Sequence, residues 1–140
     1  MSDQRDIGPV TAELSARVLS PGSASVAARV QIRYDSTDPY AVVMTVRLPG
    51  GGPIPWIFGR ELLDDGLSST SGAGDVTVAP CPQALSVLLH VTLRDDVSHA
   101  VLEMGVAPIK EFLLLTYELV PPGRESLFLR VEDDVSSIAS

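Results

Sequence analysis

Val26-Ala-Ala-Arg-Val-Gln-Ile-Arg-Tyr-Asp-Ser-Thr-Asp-Pro-Tyr-Ala-Val-Val-Met-Thr-Val-Arg-Leu48 is the stretch whose alternation decides the fold. Val26, Ala28, Val30 and Ile32 fall on one side of an extended chain, with Arg29, Gln31 and Arg33 on the other. After the polar turn Asp35–Tyr40 the alternation resumes, placing Val42, Met44, Val46 and Leu48 on one face. A period of two marks half-buried strands, and a short polar turn between two of them aims one strand into the next.

The same period extends outward in both directions. Upstream, Val10, Ala12, Leu14, Ala16 and Val18 share a face opposite Glu13, Ser15 and Arg17, and Ser20-Pro-Gly-Ser23 supplies the turn. Downstream, Leu48-Pro-Gly-Gly-Gly52 forms a flexible tip before a fourth strand, Ile54–Phe58. Pro53 and Pro55 donate no backbone hydrogen bond, so that strand should start late or lie at a sheet edge. Arg60–Asp65 reads as a short helix stopped by Gly66, and Ser68–Gly74 as a loop. A short strand follows over Asp75–Pro80. Leu85, Val87, Leu89, Val91 and Leu93 then alternate over what should be the longest clean strand. Arg94-Asp-Asp96 turns the chain into His99–Met104.

From Pro108 the period changes. Ile109, Phe112, Leu113, Thr116 and Tyr117 repeat at helical spacing, and Pro108 suits a first helical turn. Leu114, Leu115 and Leu119 lie outside that stripe. A helix apolar over most of its circumference needs a second surface to cover it. The simpler expectation is burial on two sides within one chain; the alternative is a subunit or partner interface. Val120-Pro-Pro-Gly123 ends the helix, and Val131, Val135 and Ile138 have the spacing of one more short helix. Four strands, a helix, three strands and then helices make an α+β domain. Residues 1–8 read as a tail and residues 9–140 as one domain, with no repeat or linker to divide it.

Composition excludes several functions. The 140 residues are 45% hydrophobic but only 5% aromatic, so the core is aliphatic. A net charge of −8 opposes the counterion release that drives nucleic-acid binding, and opposes anionic membranes as well. The single cysteine, Cys81, permits neither an internal disulfide nor a cysteine-rich metal cluster. The first residues lack the basic and apolar segments of a signal peptide, and no apolar run is long enough to span a bilayer. A cytoplasmic protein without membrane insertion is expected.

Each chemical constellation has a simpler structural explanation. Cys81 with His90 or His99 is the one nucleophile–base possibility, yet Cys81 sits between prolines with no helix start to acidify it. His90 and His99 on neighbouring strands could form half a zinc site, with Glu103 as the nearby acid. Asp35 and Asp38 could touch calcium, but the loop lacks the spaced oxygens of an EF-hand; capping of turn N–H groups fits them better. Gly72-Ala-Gly74-Asp75 has the glycines of a phosphate loop without a following helix. Asp64 and Asp65 are adjacent on a helix and do not converge. Trp56 and Phe58 share a strand face and serve as core anchors. No catalytic residue, cofactor site or metal site emerges, which favours a binding or scaffolding protein.

Five segments in register carry a resemblance. They are Arg33–Ala41, Trp56–Leu67, Gly72–Pro80, Phe112–Thr116 and Val120–Glu125, within which Tyr34, Asp35, Asp38, Pro39, Trp56, Phe58, Arg60, Gly72, Gly74 and Asp75 stand as motif residues of structural character. Together they resemble the SsgA-like proteins, which control sporulation-linked cell division in filamentous actinobacteria, over nearly the whole chain. The resemblance implies a whirly-like α+β fold: two antiparallel β-sheets packed across each other, with C-terminal helices. It implies a homo-oligomer, with a trimer as the candidate assembly and Leu114, Leu115 and Leu119 as the candidate oligomer or partner surface. It further implies a non-enzymatic role at division septa, with contacts to SsgA-like paralogues and recruitment of the tubulin-like FtsZ. The rival expectation is a single-stranded nucleic-acid binder on the same fold, using Arg29 and Arg33. A hydrolase using Cys81 and His90 ranks last.

Overall fold

The fold comes from a computed structural model that describes residues 8–96 and 99–129. In chain order the elements are β1 (Val10–Leu19), β2 (Val26–Tyr34), β3 (Ala41–Arg47), β4 (Pro53–Gly59), α1 (Arg60–Asp65), β5 (Val76–Pro80), β6 (Leu88–Arg94), β7 (His99–Gly105) and α2 (Val106–Leu119). All strand pairings are antiparallel, in the order β4-β3-β2-β1-β7-β6-β5.

The two expected sheets are therefore the wings of one continuous sheet. The ten-residue β1 makes this possible. It pairs with β2 from Val10↔Tyr34 to Val18↔Val26, while only its last turn of register, Ala16↔Met104 to Leu19↔Val101, pairs with β7. The sheet curls so that its wings face each other. A cleft of about 220 Å³ has Val46 and Trp56 from one wing and Leu93 and Leu102 from the other. One aliphatic core fills the space between them, including Val30, Ile32, Val42, Met44, Leu89 and Val91. Burial alternates as the period-two pattern requires, most clearly in β2, β3 and β6.

Neither sheet edge offers a clean pairing surface. β4 lies at one edge with Pro53 and Pro55 within it, so two backbone donors are absent there. At the other edge, Ser71 exchanges hydrogen bonds of 2.8 and 2.9 Å with Val78 of β5.

The expected long strand beginning at Leu85 is corrected. β6 begins at Leu88, because Ala84, Val87 and Leu88 turn back on Cys81 and Ala84 through backbone hydrogen bonds of 2.9–3.0 Å. Leu85 and Val87 end up exposed, so their alternation belongs to a turn. The expected short helix over Val131, Val135 and Ile138 lies outside the described residues, as do residues 1–7 of the tail.

Both helices start directly from a strand through a glycine, Gly59 before α1 and Gly105 before α2, and neither has a side-chain cap. The first N–H of each is instead satisfied by a neighbouring carbonyl: Arg60 N–H by Tyr40 O and Val106 N–H by Val87 O, each at 2.8 Å. These bonds fix each helix start to the turn residue just before a strand, β3 for α1 and β6 for α2. At the other end of α1, Gly66 lies so close to β5 that a Cβ there would meet Val78 Cγ1 at 2.2 Å.

Candidate interaction surfaces and the buried Arg60 node

Four of the sequence segments meet at one side chain. Arg60 opens α1, where the helix dipole disfavours a cation, and it is 1% exposed. Its Nη1 donates to Val120 O at 2.8 Å, Thr116 O at 3.2 Å and Thr116 Oγ1 at 3.4 Å. Its Nη2 donates to Glu125 Oε2 at 2.7 Å. The guanidinium also lies over the rings of Tyr34 and Tyr117, 4.8 Å from each centroid. The C-terminal end of α2 thus receives the cation that such an end favours, at the Val120 carbonyl and at the Thr116 carbonyl that also accepts the Val120 N–H at 2.8 Å.

The supporting contacts radiate from this node. Tyr34 Oη donates to Pro39 O at 2.9 Å, which ties the Asp35–Tyr40 turn to β2. Tyr117 Oη donates to the Asp64 carboxylate, joining α2 to α1. Asp35 caps the turn by accepting from Thr37 N–H and Thr37 Oγ1, both at 3.1 Å. Asp38 takes part through its backbone, accepting from Ala41 N–H at 3.2 Å. Burial pushes the Tyr34 hydroxyl up to about 12, against the Arg60 charge that opposes the shift. Burial and the Asp64 hydrogen bond also raise Tyr117. Burial would raise the Glu125 carboxyl, but the Arg60 hydrogen bond and charge, with backbone N–H groups, override it and hold the carboxyl below its usual range. Among the described residues no buried side-chain nitrogen or oxygen lacks a hydrogen-bond partner, so the node reads as a satisfied structural centre.

Other motif residues are also placed by packing. Phe58 is buried and Trp56 half-buried against the core. Gly72 has φ +95°, and a Cβ there would lie 2.5 Å from Val76 O, which explains a glycine without invoking a phosphate. Asp75 O accepts from Arg94 N–H at 2.8 Å; Gly74 lies in the same loop with open space around it.

The α2 surface differs from the simpler sequence expectation. Ile109, Phe112, Leu113 and Thr116 are buried, but Leu114 is 62% and Leu115 50% exposed. The described residues of one chain do not cover the second apolar face. Leu119 is half-buried against the core, and Leu115 and Leu119 border a depression also lined by Pro9 and Val10.

The arginines behind the nucleic-acid rival are largely countered by acids. Arg29 lies 3.6 Å from Glu13 and Arg33 3.3 Å from Asp35. Arg17 stands 4.0 Å from Glu103. Arg47 is directly opposite Arg29 in the β2–β3 register.

His90 and His99 do not converge. His90 is opposite Glu103, and His99 is opposite Arg94. His90 Nε2 is 3.1 Å from Glu103 Oε2, and Cys81 belongs to the same group. The Cys81 thiol donates to Gln83 Oε1 at 3.5 Å, so the base needed for a nucleophile is not its hydrogen-bond partner. This trio was not apparent from sequence, because Cys81 joins it only through the fold of the loop between β5 and β6.

The chain is similar to proteins of one family. The profile described as "Streptomyces sporulation and cell division protein, SsgA" matches residues 28–125. A Saccharopolyspora erythraea protein named sporulation-specific cell division protein SsgB is 38% identical over 121 residues, covering 86% of this chain and 85% of the relative. The crystal structure of an SsgA-like sporulation-specific cell division protein from Thermobifida fusca superposes with a TM-score of 0.86 at 31% identity, covering 94% of this chain and 96% of that one. A Streptomyces coelicolor SsgB structure, from work correlating SsgB mutations with longitudinal cell division during sporulation, gives 0.79 at 32% identity, covering 86% and 95%.

Proposed function

The chain belongs to the SsgA family of sporulation and cell-division proteins, and from that membership we propose that it is a non-enzymatic adaptor. In this role it self-associates, and the assembly recruits FtsZ or SsgA-like paralogues to sites of sporulation septation. The observation that carries the adaptor role is the exposed pair Leu114 and Leu115 on a helix whose opposite face is already in the core. Exposed leucines on a well-anchored helix provide apolar area for a protein contact at little conformational cost. The anchoring comes from Arg60, which holds the end of α2 through Thr116 and Val120. Among the described residues no helix is long and apolar enough to cross a membrane.

Deletion in the native host tests the cellular role, with septal localisation of the tagged protein and FtsZ-ring placement as readouts. Misplaced rings are expected, and normal sporulation septa in the null strain would overturn the proposal. Light scattering of the purified full chain at micromolar concentration tests self-association separately. Only monomer would remove the assembly part and leave a monomeric adaptor.

A further inference from the structure

We propose that Cys81, His90 and Glu103 form a binding site for a single zinc-class divalent ion on the outer face of the β5–β7 wing. Their ligand atoms all lie within 4.8 Å of one another, although the residues come from three separate segments. Sheet register explains the convergence. Ala79 of β5, His90 of β6 and Glu103 of β7 form one row across three strands. Cys81 lies two residues beyond Ala79, where Cys81 N–H donates to Leu88 O at 3.1 Å. The side chain two residues along an extended segment returns to the same face, so the thiol stands diagonally next to the imidazole.

The donor set selects the metal class. A thiolate, an imidazole and one carboxylate suit zinc, and they suit magnesium or calcium poorly because those ions take oxygen ligands. Ligands held about 2.0–2.3 Å from a tetrahedral ion lie roughly 3.3–3.8 Å from one another. The 3.1 Å between His90 Nε2 and Glu103 Oε2 is already close to that spacing. The sulfur must close the remaining gap, giving up its 3.5 Å contact with Gln83, and the His90–Glu103 hydrogen bond gives way to the two bonds to the ion. The site is sheltered but reachable: Cys81 is buried, and the His90 and Glu103 side chains are 24% and 18% exposed. That exposure leaves the fourth position to water. Arg17 is 4.0 Å from Glu103 and 64% exposed, so it can swing into solvent when a cation arrives.

Binding is balanced in charge. A dication there would face two anionic ligands, the Cys81 thiolate and the Glu103 carboxylate. The imidazole hydrogen would sit on Nδ1, so that the lone pair of Nε2, the atom now hydrogen-bonded to Glu103, is free for the ion. An ion held there would connect the β5–β6 loop to β6 and β7. This would make the wing that ends at β5 dependent on metal.

The test uses the untagged full chain, reduced and stripped with a chelator, and titrated with Co²⁺ and with Zn²⁺ against a chromophoric competitor. One equivalent of Co²⁺ should bind and produce the charge-transfer absorption of a thiolate–cobalt bond, which Zn²⁺ then displaces. Cys81→Ala should abolish that band, and His90→Ala and Glu103→Gln should each weaken Zn²⁺ binding at least tenfold. His99→Ala should change neither. Circular dichroism matching the wild-type chain separates lost ligands from lost folding. The proposal is overturned by wild-type chain that takes up no stoichiometric metal, or by uptake that survives both Cys81→Ala and His90→Ala.

Discussion

Glu125 Oε2 accepts a 2.7 Å hydrogen bond from the Arg60 guanidinium, closing a loop of chain with |i−j| of 65. The contact ties the segment after α2 to the first residue of α1. It also completes the shell of a cation that Thr116, Val120, Tyr34 and Tyr117 have already removed from water. Among the described residues, no buried side-chain nitrogen or oxygen lacks a partner. The node therefore holds two helices and one turn in fixed relation.

Arg60→Leu should accordingly be severe. It would leave Glu125 Oε2 and the Val120 carbonyl without the Arg60 donor, although Glu125 Oε1 keeps the Gly123 N–H at 3.0 Å, and breaking a buried pair from one side costs about 3–5 kcal/mol. Arg60→Lys should recover only part of the loss, because an ammonium cannot fork between Glu125 and the helix-end carbonyls or stack on two rings. Urea denaturation of both variants checks the order. Equal stability of wild type and Arg60→Leu would contradict the structural role given to the node.

The pH dependence follows from the signs of the shifts. Glu125 and Asp35 are held below their ordinary range: Glu125 by Arg60 and backbone N–H groups against its burial, Asp35 first by the Thr37 N–H. Their contribution is complete above the unfolded carboxyl values and is lost as pH falls through the lowered folded ones. Tyr34 has the opposite sign. Its stabilisation is complete below the ordinary value of 10.0 and is lost as pH rises through about 12. Thermal melts across pH should show both limbs. Glu125→Gln should shrink the acid limb to the Asp35 part and only trim the alkaline one, whose first cause is the burial of Tyr34, and an unchanged acid limb would count against the assignment.

Gly66→Ala is expected to destabilise by about 1–3 kcal/mol, the usual range for overpacking. The cause is contact, since Gly66 has φ −66° and any residue can adopt that conformation. Its Cβ would stand 2.2 Å from Val78 Cγ1 and 2.9 Å from Val78 O. Val78 is fully buried in a five-residue strand and has little room to yield. Combining Gly66→Ala with Val78→Ala should cost less than the sum of the two single changes. Strict additivity in a double-mutant cycle would show that the contact is not the cause.

Strands and helix α2 were legible in the sequence because burial follows a period, and period is a local property. Val30, Ile32, Val42 and Met44 alternate in the sequence and are all buried in the fold. Leu85 and Val87 show the limit of that signal. They alternate with Leu89, yet a turn at Ala84 keeps them out of the sheet. Joining of the two expected sheets depends on where β1 ends and β7 passes, a long-range matter that no local pattern records. Arg60 carried a partial signal, a cation at a helix start, but its acceptors lie 56, 60 and 65 residues away. The trio Cys81, His90 and Glu103 likewise depends on register across three strands. Leu114 and Leu115 were visible as surplus apolar residues, and only the fold showed that the described residues leave them exposed.

Those two leucines give the most direct test of assembly. Leu114→Ser with Leu115→Ser changes residues 62% and 50% exposed, so the stability of the isolated chain should move by no more than about 0.5 kcal/mol per site. If α2 forms the contact between copies, the double variant should sediment as monomer at concentrations where wild type is oligomeric. Leu113→Ser is the contrasting control. Leu113 is 2% exposed in the core, and its loss should unfold the chain without selectively dissociating it. Septation in a strain carrying the double variant then separates two roles for the same surface. Normal septa with a monomeric protein would assign the leucines to self-contact alone, whereas failed septation with an intact oligomer would assign them to the division partner.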